Sequence, residues 1–170
     1  ISPITFQDIV GVCYPKEDAK EIEYYRAFTE LALLAKRILQ KSILKIKKQM
    51  EVNDYMRDLY EKSEDKNFLV VEKKYGRHAV AVGALNLTEV LYVVYPAKVG
   101  SEWNVVATRK NIESMESKKP FPVAWAGLSG ADLQKTTGVL TAKFCHNGAF
   151  LCVSGNMQDA IELAKLSIKS

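Results

Sequence analysis

The chain has 170 residues, 48% of them hydrophobic and 26% charged, with a formal net charge of +4. This is a globular composition, long enough for one domain to bury roughly 70% of its unfolded surface, and the mild positive charge tolerates a polyanion without demanding one. No apolar run approaches the roughly 20 residues of a membrane span, and no basic-apolar-small leader opens the chain.

The first position is Ile1 rather than Met, which suggests a piece of a longer protein. Ile1 to Cys13 is apolar, and Thr5 to Val10 reads either as a helical turn or as the end of an interdomain connector. Pro15 and the charged Lys16-Glu17-Asp18 mark a break, and Asp18 with Glu21 looks like a capping box opening a helix. A long helix follows. Ala27, Phe28, Leu31, Leu34, Ala35 and Ile38 recur at helical spacing, and the face continues more weakly through Ser42, Ile46 and Met50. The other side carries Lys36, Arg37, Lys41, Lys45, Lys47 and Lys48. Asn53 starts a second helical stretch through Tyr55, Met56, Leu59 and Tyr60, which the polar run 61–67 ends.

The period then changes. Phe68 to Glu72 and Val90 to Tyr95 read as strands, the second stopped by Pro96. Val99 to Glu102 is a turn, and Trp103 to Thr108 pairs back as a hairpin. Ser114 to Leu128 packs two prolines and a tryptophan into one run, too ordered for a linker, and an amphipathic turn follows it. Lys143 to His146 and Phe150 to Val153 flank a tight Asn147-Gly148 turn. Asn156 caps a closing helix with the stripe Met157, Ala160, Ile161, Ala164 and Ile168. Helices, then strands, then a helix make an α+β fold. Its long N-terminal helical segment packs with a mainly antiparallel or mixed sheet and a C-terminal helix. Residues 1–17 are expected to be a connector and 18–170 a single domain, helical over 18–63 and mainly β with its closing helix over 68–170.

The chemical inventory is thin. Only two histidines are present, His78 and His146, and no HxxxH, HExxH or DxD string occurs. Gly127-Leu128-Ser129-Gly130 is not a nucleophile elbow, and no phosphate-binding glycine loop is present. Cys13, Cys145 and Cys152 are an odd number without a CxxC, which reads as reduced thiols in an intracellular, cytoplasmic-type protein. Ser117, Lys118 and Lys119 form a donor cluster ahead of the rigid Pro120-Phe121-Pro122, suited either to phosphate oxygens or to a solvated turn. Trp125 fits a buried anchor better than a stacking platform. His146, beside a turn at a strand end, suits a ligand contact and a structural role equally. No residue qualifies as catalytic or as a metal ligand on sequence grounds.

Several of these strings together resemble the C-terminal half of the Myg-type (melanocyte proliferating gene) family, predicted metal-dependent phosphoesterases related to the DHH superfamily. Val93-Val94-Tyr95 and Trp103-Asn104-Val105 are similar to two strands of that family. Ser117 falls on the serine of its Ser-Arg pair, and Pro122, Trp125, Gly127 and Leu128 fall on its Pro and Trp-x-Gly-Leu. Thr137-Gly138 falls on a Ser-Gly, Phe144 and His146 on Phe-Val-His, and Phe150 on the following Phe. His78 resembles the histidine of a Pro-Trp-Lys-x-His string whose Pro and Trp are missing here. Lys118 replaces the family arginine, and Ala126 and Ser129 replace two more.

The resemblance implies a substrate-binding, cleft-closing domain. Ser117, Lys118, His146 and His78 would contact substrate, and Ser117, Lys118 and His146 would converge on one cleft. The implied substrate is single-stranded RNA, at its 3′ end, or a nucleotide. Manganese or another divalent ion would sit in an N-terminal DHH-like domain joined in cis, and this chain alone would be inactive. The competing expectation is a non-enzymatic interaction module whose long helix binds a partner, with oligomerisation open.

Overall fold

The structure, a computed structural model, describes residues 3–16, 18–98 and 100–170. Val99 of the expected turn, and Ile1, Ser2 and Glu17 of the expected connector, lie outside the described residues. The chain divides into two compact units, Ile1–Lys48 and Gln49–Ser170. The class is α+β, with a five-stranded mixed sheet.

The first unit is helical. Helix α1 (Phe6–Cys13) opens on a capping box in which Thr5 Oγ1 accepts the Asp8 N–H and the Asp8 carboxylate accepts the Thr5 N–H. Helix α2 (Glu21–Lys62) runs 42 residues without the expected restart at Asn53. Asp18 and Glu21 do not form the expected box; instead the Lys20 N–H donates to the Glu23 carboxylate at 2.8 Å. The expected apolar face of α2 is not covered over 21–48, where Phe28, Leu34, Ile38 and Ile46 all stand exposed.

In the second unit the end of α2 becomes core, and Val52 and Met56 are fully buried. Strand β1 (Phe68–Val70) pairs parallel with β2 (Tyr92–Pro96), and α3 (Arg77–Leu85) lies in the connection. Parallel neighbours require such a crossover. Strand β3 (Trp103–Ala107) returns antiparallel to β2 with Tyr95 opposite Asn104, as the expected hairpin. Strands β4 (Ala142–Cys145) and β5 (Leu151–Ser154) are antiparallel, and the sheet order is β1-β2-β3-β5-β4. Between β4 and β5, the Ala149 N–H closes a turn on the His146 carbonyl at 2.8 Å, with Ala149 at φ 50°.

Strand β2 is buried along its whole length because both sheet faces are covered. On one face Tyr92 and Val94 join Val105, Phe121, Trp125, Leu133 and Leu163 in a core closed by α4 (Gly130–Thr137) and α5 (Met157–Lys169). On the other, Val93, Tyr95 and Val106 meet Val52, Met56, Val80 and Ala84 from α2 and α3. A Cβ on Gly83 would meet Met56 Sδ, so the Met56 side chain packs directly over this glycine where α2 and α3 face each other. Asn156 caps α5 as expected by accepting the Asp159 N–H. The buried stripe of α5 is Ala160, Leu163, Ala164 and Ser167, rotated from the expected one. Met157 and Ile168 flank it, half-buried, and Ser167 turns inward to the Tyr92 hydroxyl at 2.6 Å.

Candidate functional site

A cavity of about 160 Å³ opens between α3, the end of β3 and the loop that follows it. Helix α3 packs Val80, Gly83 and Ala84 into the core. That geometry turns His78, Ala81, Val82 and Leu85, at helical spacing, toward the cavity as one wall. Arg77 joins them from the first turn. The floor is Val106 and Ala107, and Arg109, Ser117 and Phe150 complete the polar and aromatic parts.

The loop 109–117 is a built hairpin. Arg109 and Ser117 form an antiparallel bridge, the Lys110 N–H donates to the Glu116 carbonyl at 3.0 Å, and the Lys110 ammonium meets the Glu116 carboxylate at 2.7 Å. At its tip, Asn111 Oδ1 accepts the Glu113 and Ser114 N–H groups. This order holds Ile112 and Met115 at the cavity with 64% and 75% of their surfaces still in solvent.

The electrostatics are one-signed. The residues lining the cavity include Arg77, Arg109 and His78 and no Asp or Glu. Among the described residues, neither Arg77 nor Arg109 has a carboxylate within ion-pair distance. The Arg77 guanidinium lies 6.0 Å from the Phe150 ring centre. It also acts on Tyr95: burial pushes that phenol up to about 12, and the Arg77 charge opposes the shift. Thr108, between two cavity-lining residues, keeps its hydroxyl buried and without a partner among the described residues.

The four expected contact residues separate. Ser117 and His78 line the cavity together; Lys118 and His146 do not line it, so the expected convergence of Ser117, Lys118 and His146 is replaced by that of Ser117 and His78. The Lys118 Nζ donates to the carbonyls of Leu87, Thr88 and Val90 at 2.8, 3.1 and 3.4 Å, and burial lowers its pKa. Lys119 is likewise engaged, donating to the Ile168 carbonyl at 2.8 Å. His146 packs on Phe150 at 4.2 Å between ring centres and stands edge-on to Phe144. Its Nδ1 accepts the Gly148 N–H at 2.9 Å, which leaves the ring proton of the neutral form on Nε2. His146 therefore braces, from outside the cavity lining, the aromatic residue that is part of it.

The loop at Pro120–Leu128 lies against the sheet, as its composition suggests. The Phe121 N–H donates to the Ala149 carbonyl at 2.8 Å, the Gly127 N–H to Cys145 at 3.0 Å, and the Cys145 N–H back to Leu128 at 2.9 Å. Trp125 is buried and stacked on Phe121. Gly127, at φ 79°, turns where a Cβ would strike Asn147 of the β4–β5 turn. Among the described residues, no three His, Cys, Asp or Glu side chains cluster as a metal site. Sequence reading missed Arg77 and Arg109. Their only signals were position, one beside His78 and the other just past a strand end.

Comparison with known proteins bears on this arrangement. The family model MYG1_exonuc, described as "Uncharacterised protein family (UPF0160)", matches residues 2–168. The chain is 34% identical to a "MYG1 protein" of Chlamydia pneumoniae over 79 residues, covering 46% of this chain and 27% of that one. It is 46% identical to the "MYG1 protein" of Chlamydia muridarum over 55 residues, covering 32% and 19%. A "MYG1 protein" of Caenorhabditis elegans is 27% identical over 81 residues, covering 47% and 24%. The chain thus spans about a quarter or less of the length of the curated relatives it matches. No solved structure matches.

Proposed function

Because the chain belongs to the MYG1 family, UPF0160, we propose that it is the substrate-binding, cleft-closing part of a DHH-related, metal-dependent phosphoesterase acting on RNA ends or nucleotides. In this reading an N-terminal DHH-like domain supplies manganese or another divalent ion, and the present residues supply anion recognition. The observation that carries the reading is the carboxylate-free cavity of Arg77, His78, Arg109 and Ser117 beside the Phe150 ring. Guanidiniums and hydroxyls are suited to phosphate oxygens, and an aromatic face accepts any base. His78 and Ser117 are contact residues in this scheme, and His146 and Lys118 hold the contact residues in place.

The test uses the 170-residue chain itself. Single-stranded RNA binds weakly, and binding falls steeply with salt as counterions are released. With manganese or magnesium added the chain does not cleave RNA, since two-metal hydrolysis needs several ligands converging on the ions. Metal-dependent turnover by the purified chain, abolished by His146→Ala, would refute the placement of the metals in another domain.

One observation favours a second reading, an interaction module. Phe28, Leu39 and Leu44 of α2 are each more than 60% exposed. If Lys41→Ala abolishes RNA binding while Arg109→Ala leaves it intact, the cavity is not the site and this second reading replaces the first.

A further inference from the structure

We infer that the cavity takes a terminal phosphate monoester carried on a flat apolar group, as in a nucleoside monophosphate, in preference to an internal phosphodiester. This rests on the phosphate-binding reading above and goes beyond it in naming the ligand.

The first argument is charge. Arg77 and Arg109 bring two permanent positive charges to one cavity with no carboxylate among its lining residues, and neither has an ion-pair partner among the described residues. A phosphate monoester carries about −1.5 to −2 near neutral pH, whereas an internal diester carries a single charge. Two guanidiniums, each able to present paired N–H donors, match the dianion. The Ser117 hydroxyl supplies a neutral donor on the same wall as Arg109.

The second argument is the flap. Large apolar side chains at the tip of a loop usually signal either disorder or a partner. Here the loop is ordered by its own backbone pairing and ion pair, yet Ile112 and Met115 stay mostly exposed at the cavity. With Phe150 they form an apolar, polarisable surface alongside the guanidiniums. Inorganic phosphate alone leaves that surface wet. A base or sugar attached to the phosphate covers it, and thioether and aromatic groups pack well on flat rings. Anion and apolar groups in one cavity describe a ligand with both parts, its phosphate at the end.

The experiment is equilibrium binding to the 170-residue chain of adenosine 5′-monophosphate, adenosine, inorganic phosphate and the dinucleoside phosphate ApA. The monophosphate binds at least about tenfold tighter than ApA, because the second charge is met by the second guanidinium. Lowering the pH from about 7.5 to 5.5 narrows the preference for the monophosphate over ApA, since the second phosphate proton titrates near 6 and ApA has none, while the His78 imidazole faces both ligands alike. Arg77→Ala and Arg109→Ala each cost about tenfold, and the lysine variants recover part of the loss, which distinguishes charge from fold. The double variant Ile112→Ser, Met115→Ser weakens the monophosphate and leaves inorganic phosphate unchanged. If ApA binds as tightly as the monophosphate, or if both arginine variants bind normally, the inference is overturned. If RNA still binds in a salt-dependent way in that case, the broader phosphate-binding reading survives. If neither RNA nor monophosphate binds, both fall.

Discussion

Two stretches of one helix carry apolar residues at the same spacing and meet different fates. Over 49–62, α2 buries Val52 and Met56 completely against α3 and β2. Over 21–48, none of its residues is buried, and Ile22, Phe28, Leu33, Ile38, Leu39 and Leu44 face solvent. The difference lies outside the helix. Periodicity decides that a segment is helical and which side is apolar. Whether that side contributes stability depends on a second surface, and α3 provides one for the end of α2. The lesson is that a hydrophobic stripe reports a capacity for burial, and its energetic weight has to be read from what covers it.

Substitutions can break this contrast. The largest effect falls in the covered unit: Trp125→Ala lowers stability by about 3–5 kcal/mol in denaturant unfolding, because a large, buried, stacked ring leaves a cavity. Met56→Ala follows at about 2–5 kcal/mol, softened if neighbouring side chains relax into the space. Unchanged unfolding in both would mean that the core is not closed as described. Alkaline titration probes the same core on both faces. Burial pushes the phenols of Tyr92 and Tyr95 up to about 12 from the ordinary 10. The folded state then prefers the protonated form, so this contribution is complete below pH 10 and is lost as pH rises toward 12. Melting temperature should fall over that window, and Tyr92→Phe should flatten part of the fall. The smallest effect sharpens the contrast: Leu39→Ser, on the uncovered stretch, stays within about 0.5 kcal/mol in the isolated chain. A cost like that of Met56→Ala would show that this stretch is covered in solution.

Much of the fold was legible, and the reasons are local. The β2–β3 and β4–β5 hairpins announce themselves by strand-forming residues on either side of short turns, and α5 by its Asn156 cap. Helix α3 was not legible. Its Ala-Val-Ala-Val-Gly-Ala-Leu run has no sharp period, and Gly76 provides no capping side chain. One indirect signal existed, since two apolar strands about twenty residues apart are compatible with parallel pairing and a crossover helix between them. Missing α3 hid the cavity wall, and with it Arg77. The resemblance pointed to Ser117 and His78, and the cavity holds both. It pointed equally to Lys118 and His146, whose roles depend on partners that no local pattern reveals. The Lys118 ammonium reaches carbonyls about thirty residues away, and His146 is absorbed into an aromatic stack with Phe150.

Lys118 touches both sides of the cavity at once. Its backbone N–H is fixed to the Thr108 carbonyl, next to Arg109, while its ammonium is fixed to the carbonyls just past the end of α3. One side chain therefore acts as a tie rod between two walls, and the length of its methylene stem sets their gauge. An ammonium with three rotatable donors fits three carbonyls converging on a point, a task for which a planar guanidinium is poorly shaped. Lys118 is thus a spacer between these two backbone segments, although it stands outside the residues that line the cavity.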